Sequence, residues 1–427
     1  MNTEIKKLPR GQVELTVTLT NEEYQPFLKQ AATHLSQHST IPGFRPGKAD
    51  YEVIVQRVGE GKVYEEAFDP AVRKTLVDAL TEHKLMTVGS PRVDVVTLVP
   101  GNPIVYKVII DILPEVKLPD ISAIKIKKEP VAVDEAEVAK SIERLREMRA
   151  SEKAVDRAAQ KGDKVEIDFK SFLDHIPVEN GASENYPLVI GEGNFIPGFE
   201  DNLVGLKSGE EKKFKLEFPK EYHEKMLAGK EVDFTVTIKS VLERELPELN
   251  EDFAKSLGGF GSMKDIEDKM RDNLVHEATH AAEHKNEEAV LNALIEKSTF
   301  GEIPDALIDA ETRKMINELE HNIQQQGLTF EDYLTHLKKT RGDLMLDFAP
   351  QALIRVKSAL LLREVANVQK IVATDADVQK EIEQTIARYA GNPDVEQQIT
   401  SKEYKDYLMN VITSRKTMEY LSGVILE

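Results

Sequence analysis

The sequence predicts a multidomain α+β chain: an α+β N-terminal domain, a small antiparallel β domain, and an all-α C-terminal region. Three observations predict it. The hydrophobic period changes along the chain, from mixed strand and helix patterns, to alternation over 163–242, to helical spacing from about Glu251 onward. Pro and Gly punctuate the joints between these stretches. The 427 residues, 41% of them hydrophobic, suffice for about three domains at ~150 residues each.

The first domain covers 1–113. Val13, Leu15, Val17 and Leu19 alternate with polar residues, a strand with one buried face. Thr20-Asn21-Glu22-Glu23 supplies a cap and first-turn acid for a helix to about Ser36. After a loop, a second helix carries Val53, Ile54 and Val58, and a third runs from about Lys62 to His83. Two strands follow near Met86–Leu98 and Pro103–Leu113, hinged at Pro100-Gly101-Asn102.

Pro114, Pro119 and Pro130 punctuate a connector, 114–150, with one alternating strand at Ile124-Lys125-Ile126-Lys127. Asp134 opens a helix whose Val138, Ile142 and Leu145 share a face. Polar residues 150–162 read as a boundary, and 151–248 as the β domain. Its strands are Val165–Phe169, Lys213–Phe218 and Val232–Ile238. The C-terminal region, 249–427, reads as long amphipathic helices forming extended arms. Pro304 opens one helix, and stops fall at Gly327, Pro350 and Gly391-Asn392-Pro393.

Composition narrows the function classes. Zero cysteines exclude disulfides, thiolate nucleophiles and cysteine zinc sites. No apolar run approaches the ~20 residues of a membrane span, and Met1–Leu8 lacks the apolar core of a secretory signal. These features favour the cytoplasm. Net charge is −19, yet residues 1–110 hold 13 Lys and Arg against 13 Asp and Glu. A neutral N-terminal module can approach RNA while the acidic remainder is repelled.

Ile41-Pro42-Gly43-Phe44-Arg45-Pro46-Gly47-Lys48 sets a large apolar ring and two cations on a turn. Exposed rings mark contact sites, and cations attract phosphate. Two readings stand: a tip that docks on a phosphate-rich surface, or a turn whose Phe44 folds back on its own helices. A second motif, Gly191–Glu200, sets Ile196 and Phe199 one helical turn apart, and rings recur at Phe169, Tyr186, Tyr222 and Phe234. Such spacing builds either an aromatic pocket on a sheet or a plain core; spacing alone favours the core.

His276-Glu277-Ala278-Thr279-His280 matches the H-E-x-x-H pattern of zinc proteases, with His284 continuing the series. Helical geometry favours a solvated face instead: Met270, Leu274, Ala278, Ala281 and Ala282 form one stripe, and His276 and His280 fall opposite it. Leu344, Met345, Phe348, Leu353, Ile354, Leu360 and Leu361 are core or exposed binding surface, with core the default, as for Met409 and Met418. No phosphate-binding glycine loop precedes a Lys-Ser or Lys-Thr, so nucleotide-driven cycling is not expected.

Gly43-Phe44-Arg45-Pro46-Gly47-Lys48 resembles the ribosome-binding signature of bacterial trigger factors, chaperones that meet nascent chains at the exit tunnel. The resemblance runs along essentially the whole chain. It implies that Phe44, Arg45 and Lys48, on a loop shaped by Gly43, Pro46 and Gly47, contact ribosomal RNA and a protein at the tunnel exit. Some members carry lysine where this chain has Pro46.

Gly162–Phe169, Glu184–Leu188, Phe195–Glu200 and Phe218–His223 are similar to an FKBP-type prolyl isomerase domain. The implied pocket residues are Phe169, Tyr186, Phe195, Ile196, Phe199, Tyr222 and Phe234. The family's Asp-Gly-x-x-Phe is replaced by Asp174-His175-Ile176-Pro177-Val178, which removes a ring and a glycine. Leu246–Phe253 and Ile303–Asp309 resemble the C-terminal domain, whose helices enclose a cradle for unfolded chains.

The implied function is an ATP-independent chaperone that docks at the exit tunnel, shields nascent chains and isomerises X–Pro bonds, with no cofactor and no metal. Implied partners are the ribosome, nascent and unfolded polypeptides, and a second copy of the chain when free, but no membrane. The competing readings are a holdase with an inactive isomerase pocket, a free cytoplasmic prolyl isomerase and, last, the zinc protease.

Overall fold

The computed structural model describes residues 1–38, 44–174, 176–222, 224–388 and 397–427. The chain forms two compact units, Met1–Glu129 with His284–Glu427, and Pro130–Glu283.

The N-terminal part of the first unit contains β1 (Asn2–Leu8), β2 (Gln12–Leu19), α1 (Asn21–His38), α2 (Tyr51–Val58), α3 (Glu60–Glu82), β3 (Thr87–Thr97) and β4 (Ile104–Ile112). The antiparallel sheet has order β1-β2-β4-β3. Alternation decides its faces: Val13, Leu15, Val17 and Leu19 are buried beside Ile104, Tyr106, Val108 and Ile110. Tyr24, Leu28, Ala31 and Ala32 of α1 and Ala67 and Ala71 of α3 complete this core. Thr20 caps α1 reciprocally with Glu23: each backbone N–H donates to the other's side chain. The Tyr24 hydroxyl, fully buried, donates to the Tyr64 carbonyl at 2.8 Å. Strand β1 was not expected. Its residues are mostly exposed, as befits an edge strand, so no hydrophobic alternation announces it.

The connector begins with β5 (Val116–Lys117). Contrary to expectation, Ile124–Lys127 is not a strand. Only Ile126 pairs, in a single parallel bridge with Leu426, after a 3-10 turn at Ile121–Ala123. Its alternation reflects burial of Ile124 against the C-terminal helices rather than a ladder.

The second unit contains α4 (Glu135–Met148), β6 (Ser151–Ala154), β7 (Lys164–Leu173), β8 (Ile176–Val189), β9 (Glu211–Glu217), β10 (Glu231–Glu245) and α5 (Glu251–Ser256). Helix α6 (Met263–Lys297) begins in it. Asp134 caps α4 by accepting from the Ala136 amide at 2.9 Å. Long β10 organises the sheet: β7 lies along one edge, and β9 and β6 share the other. β8 follows β7 outward and carries Pro177 and Pro187, which an edge strand tolerates. The polar stretch expected as a boundary thus includes β6, specified by pairing with Leu242–Glu245 and not by its own exposed residues. Val138, Ile142, Phe253 and Ile266 form a satellite core with Met270 and Leu274. The expected α6 stripe holds there and at Ala282, but Ala281 is exposed.

The rest of the first unit is helical, apart from β11 (Thr299–Phe300), which pairs with β5. It comprises α7 (Asp305–Gln325), α8 (Phe330–Leu337), α9 (Arg341–Gln369), α10 (Asp375–Arg388) and α11 (Lys402–Ile425). Pro350 does not stop a helix; it lies inside α9. The carbonyl it leaves unpaired belongs to Leu346, whose side chain is 75% exposed, so water can satisfy it. Leu344, Ala352 and Val356 hold α9 by its buried face. Leu360, Leu361 and Met418 are buried, Met345, Phe348, Leu353 and Met409 are half-buried, and Ile354 is exposed. Gly391-Asn392-Pro393 lie outside the described residues.

Candidate functional site

The β domain gathers its aromatic side chains into one array. Phe169 on β7 meets Tyr186 of β8 edge-on at 5.9 Å and Phe195 at 5.4 Å. Phe195 stacks on Phe199 at 4.1 Å. Phe199 meets Phe234 on β10 at 5.3 Å, and Phe234 leads through Phe218 to Tyr222. The array grades from floor to rim: Phe199 is fully buried, Phe234 nearly so, Phe169, Phe195, Ile196 and Tyr222 are half-buried, and Tyr186 is 38% exposed. Six of the seven residues implied by resemblance are thus linked ring to ring, and Ile196 packs against the same core.

Phe214 and Phe218 join the array and were not singled out from sequence. The signal was present, because alternation through Lys213–Phe218 sets both on the face of Leu216. A separate cleft of about 520 Å³ is lined by Phe172, Phe214, Phe234 and the Lys213, Lys215, Asp233 and Thr235 side of the sheet, so of the seven implied residues only Phe234 borders it.

The loop presenting Phe195 is held from inside. The buried Glu200 carboxylate accepts from the amides of Gly191 at 2.7 Å, Gly193 at 3.0 Å and Phe195 at 3.4 Å. Three amide dipoles converging on one carboxylate compensate its burial. Gly198 turns the chain between Ile196 and Phe199 at φ +86°, and a Cβ there would stand 3.2 Å from Leu216.

Two further carboxylates brace the strands. Asp168 accepts from the Asn185 amide at 2.8 Å and pairs with Lys239 at 2.9 Å. The amide first and the ammonium second hold its carboxyl below the usual range. Buried Asp163 takes Arg157 bidentately at 2.6 and 3.0 Å, and the Gln160 amide at 2.8 Å. Burial alone would raise its pKa; the guanidinium and the amide outweigh burial and lower it.

Val178, which stands where the family pattern has a ring, is half-exposed and packs against the β-domain core. His175 and His223 lie outside the described residues. The array holds no nucleophile–base pair. It offers an apolar face with an open rim, which suits binding of an apolar ring or imide better than bond cleavage.

The second candidate lies in the other unit. Phe44 is 40% exposed, and Arg45, Pro46 and Lys48 are exposed beside it; Gly43 lies outside the described residues. The loop is tied to α1. The Gly47 amide donates to the Ser36 carbonyl at 3.2 Å and to Ser36 Oγ at 3.1 Å, and the Lys48 amide donates to Arg45 O at 3.0 Å. Gly47 has φ +77°, and a Cβ there would lie 3.0 Å from Gln37 Cγ. A turn so fixed presents one ring and two cations together.

His276 and His280 are exposed on α6, with Glu277 also exposed between them. Glu277 borders a shallow groove against α4, but both histidines are exposed and outside its lining, whereas a zinc protease needs its metal ligands in a cleft.

A multidomain α+β architecture with an FKBP-like antiparallel β domain and a helical C-terminal region defines a class of folding factor, and comparison with known proteins names the family. The profile described as "Bacterial trigger factor protein (TF)" matches residues 1–145, and its C-terminal counterpart matches 262–423. The profile "FKBP-type peptidyl-prolyl cis-trans isomerase" matches 155–239. The trigger factor of Caldicellulosiruptor saccharolyticus is 32% identical over 421 residues, covering 99% of this chain and 96% of that protein. That of Halalkalibacterium halodurans is 33% identical over 396 residues, covering 92% of each. A solved structure described as "Promiscuous Substrate Recognition in Folding and Assembly Activities of the Trigger Factor Chaperone" aligns over 99% of both chains at 22% identity, with a TM-score of 0.49.

The chain belongs to the trigger factor family of chaperones and carries an FKBP-type domain. Among the described residues no helix is long and apolar enough to cross a membrane.

Proposed function

We propose that this protein docks at the ribosomal exit tunnel through the 43–48 loop, shields nascent chains in the cytoplasm and isomerises their X–Pro bonds in the aromatic cleft, without nucleotide. Within this reading, 1–113 is the docking domain, 114–150 the connector, 151–248 the isomerase and 249–427 the polypeptide-binding region. Phe44, Arg45 and Lys48 would touch ribosomal RNA and protein, with Gly43, Pro46 and Gly47 shaping the turn. A second copy of the chain is a further partner when the protein is free.

The observation that carries the reading is the graded ring array from buried Phe199 to exposed Tyr186. Rotation about X–Pro meets a barrier near ~20 kcal/mol because the amide loses its resonance. The twisted amide is less dipolar than the planar one, so an apolar cleft favours it over water without any general base. Phe169, Tyr186, Phe195, Ile196, Phe199, Tyr222 and Phe234 would line that cleft. Uncatalysed isomerisation takes tens to hundreds of seconds, slow enough to limit folding.

A specific observation favours a second reading, a holdase with an inactive cleft. Phe195 covers Phe199 at 4.1 Å, and Val178 supplies no ring to the wall. Two measurements separate the readings. The native chain should co-sediment with ribosomes and should accelerate isomerisation of a proline tetrapeptide. Changing Phe44, Arg45 and Lys48 together to Ala should abolish co-sedimentation and leave isomerisation intact. Survival of co-sedimentation removes the docking loop; absence of peptide isomerisation in the native chain leaves the holdase.

A further inference from the structure

Helix α6 brings two exposed histidines together one turn apart. The Nε2 atoms of His276 and His280 are 3.2 Å apart, and the ring centroids 4.3 Å. Metal–imidazole bonds are about 2.0–2.1 Å, so two nitrogens on one ion, at an angle between square and tetrahedral, stand roughly 2.9–3.4 Å apart. The observed separation falls in that window without rearrangement.

His280 has a second attribute of a ligand. Its Nδ1 lies 3.4 Å from a Glu283 carboxylate oxygen. A carboxylate there selects the tautomer with the proton on Nδ1 and the lone pair on Nε2, the atom that faces His276. The two Nε2 atoms share a hydrogen bond on the exposed side of α6, and a cation that displaces the shared proton can bridge the same two nitrogens.

We propose that His276 and His280 form a bidentate chelate for a borderline divalent transition metal, with Glu283 as a positioning residue. Imidazole donors suit nickel, copper and zinc, whereas magnesium and calcium prefer oxygen. Among the described residues no group of three His, Asp or Glu side chains surrounds a common ion. The remaining coordination positions are therefore open to water or to a donor from a bound polypeptide. The site binds metal and bridges one helical turn; it does not build a hydrolytic centre. It is independent of both the docking loop and the aromatic cleft.

Calorimetric titration of the full-length chain with Ni²⁺ tests this. One tight equivalent should bind, and Ni²⁺ should raise the melting temperature. His276→Ala and His280→Ala should each weaken binding by more than roughly tenfold, and Glu283→Gln by roughly tenfold. Because all three side chains are exposed, the variants should melt like the native chain without metal. The chain has a second i, i+4 pair, His34 and His38, with centroids 4.6 Å apart. His34→Ala should leave the tight equivalent untouched. No tight equivalent in the native chain, unchanged binding in His280→Ala, or loss of binding in His34→Ala would each overturn the assignment.

Discussion

The Phe195 ring lies on the Phe199 ring, with centroids 4.1 Å apart and planes 21° apart. Phe199 is fully buried and Phe195 is not, so one ring belongs to the core while the other is its lid toward solvent. Under the proposed function, residues that hold the β domain together would also serve as the surface for a proline ring.

That shared role separates stability from activity. Phe199→Ala removes a side chain in contact with Phe169, Phe195, Phe214 and Phe234. It should destabilise the β domain by about 3–5 kcal/mol and abolish peptide isomerisation, while suppression of aggregation largely persists. Tyr186→Phe keeps the rim ring and should leave stability within about 0.5 kcal/mol. Denaturant titration beside a peptide isomerisation assay reads both.

Glu200 acts on the cleft without lining it. Glu200→Ala leaves the Gly191, Gly193 and Phe195 amides without their carboxylate. The β domain should lose about 2–3 kcal/mol, and hydrogen exchange at 191–195 should rise more than at β7 or β10. Equal exchange across the domain would contradict a local clamp.

Gly47 offers a way to disturb the proposed docking loop without touching Phe44, Arg45 or Lys48. Gly47→Ala forces a Cβ into φ +77° and to within 3.0 Å of Gln37 Cγ. The left-handed conformation costs a non-glycine residue about 1–2 kcal/mol, enough to displace the turn from Ser36. Ribosome co-sedimentation should weaken several-fold while all three contacting side chains remain.

Asp163 makes stability depend on pH with a definite sign. Its carboxyl is lowered in the folded chain, because Arg157 and the Gln160 amide outweigh burial. The contribution is therefore complete above the unfolded carboxylate value of about 3.9 and is lost as pH falls through the lower folded value. The melting-temperature gap between the native chain and Asp163→Asn should be wide at neutral pH and narrow below pH ~4. A gap constant down to that range would show that the charge of Asp163 contributes nothing.

Much of the architecture was legible because it is local. Alternation at Val13–Leu19 and Val232–Ile238, and the caps at Thr20 and Asp134, are short-range signals that the chain obeys directly. Failures came where a partner distant in sequence decides. Ser151–Ala154 is a strand because Leu242–Glu245 lies beside it. Asn2–Leu8 is a strand because β2 presents an open edge. Pro350 stays helical because the carbonyl it orphans belongs to exposed Leu346, where water can satisfy it.

By itself, the sequence determined the order of the modules, the period of each element, the aromatic content of the β domain and the glycine, ring and cations of the 43–48 stretch. Only the tertiary structure decided that Phe199 is floor and Tyr186 rim, that Phe214 and Phe218 extend the array, and that the Glu200 carboxylate gathers three amides. Periodicity records which face of an element is apolar. Depth, and the partner each buried polar group finds, depend on contacts between segments far apart in the chain, which no local pattern encodes.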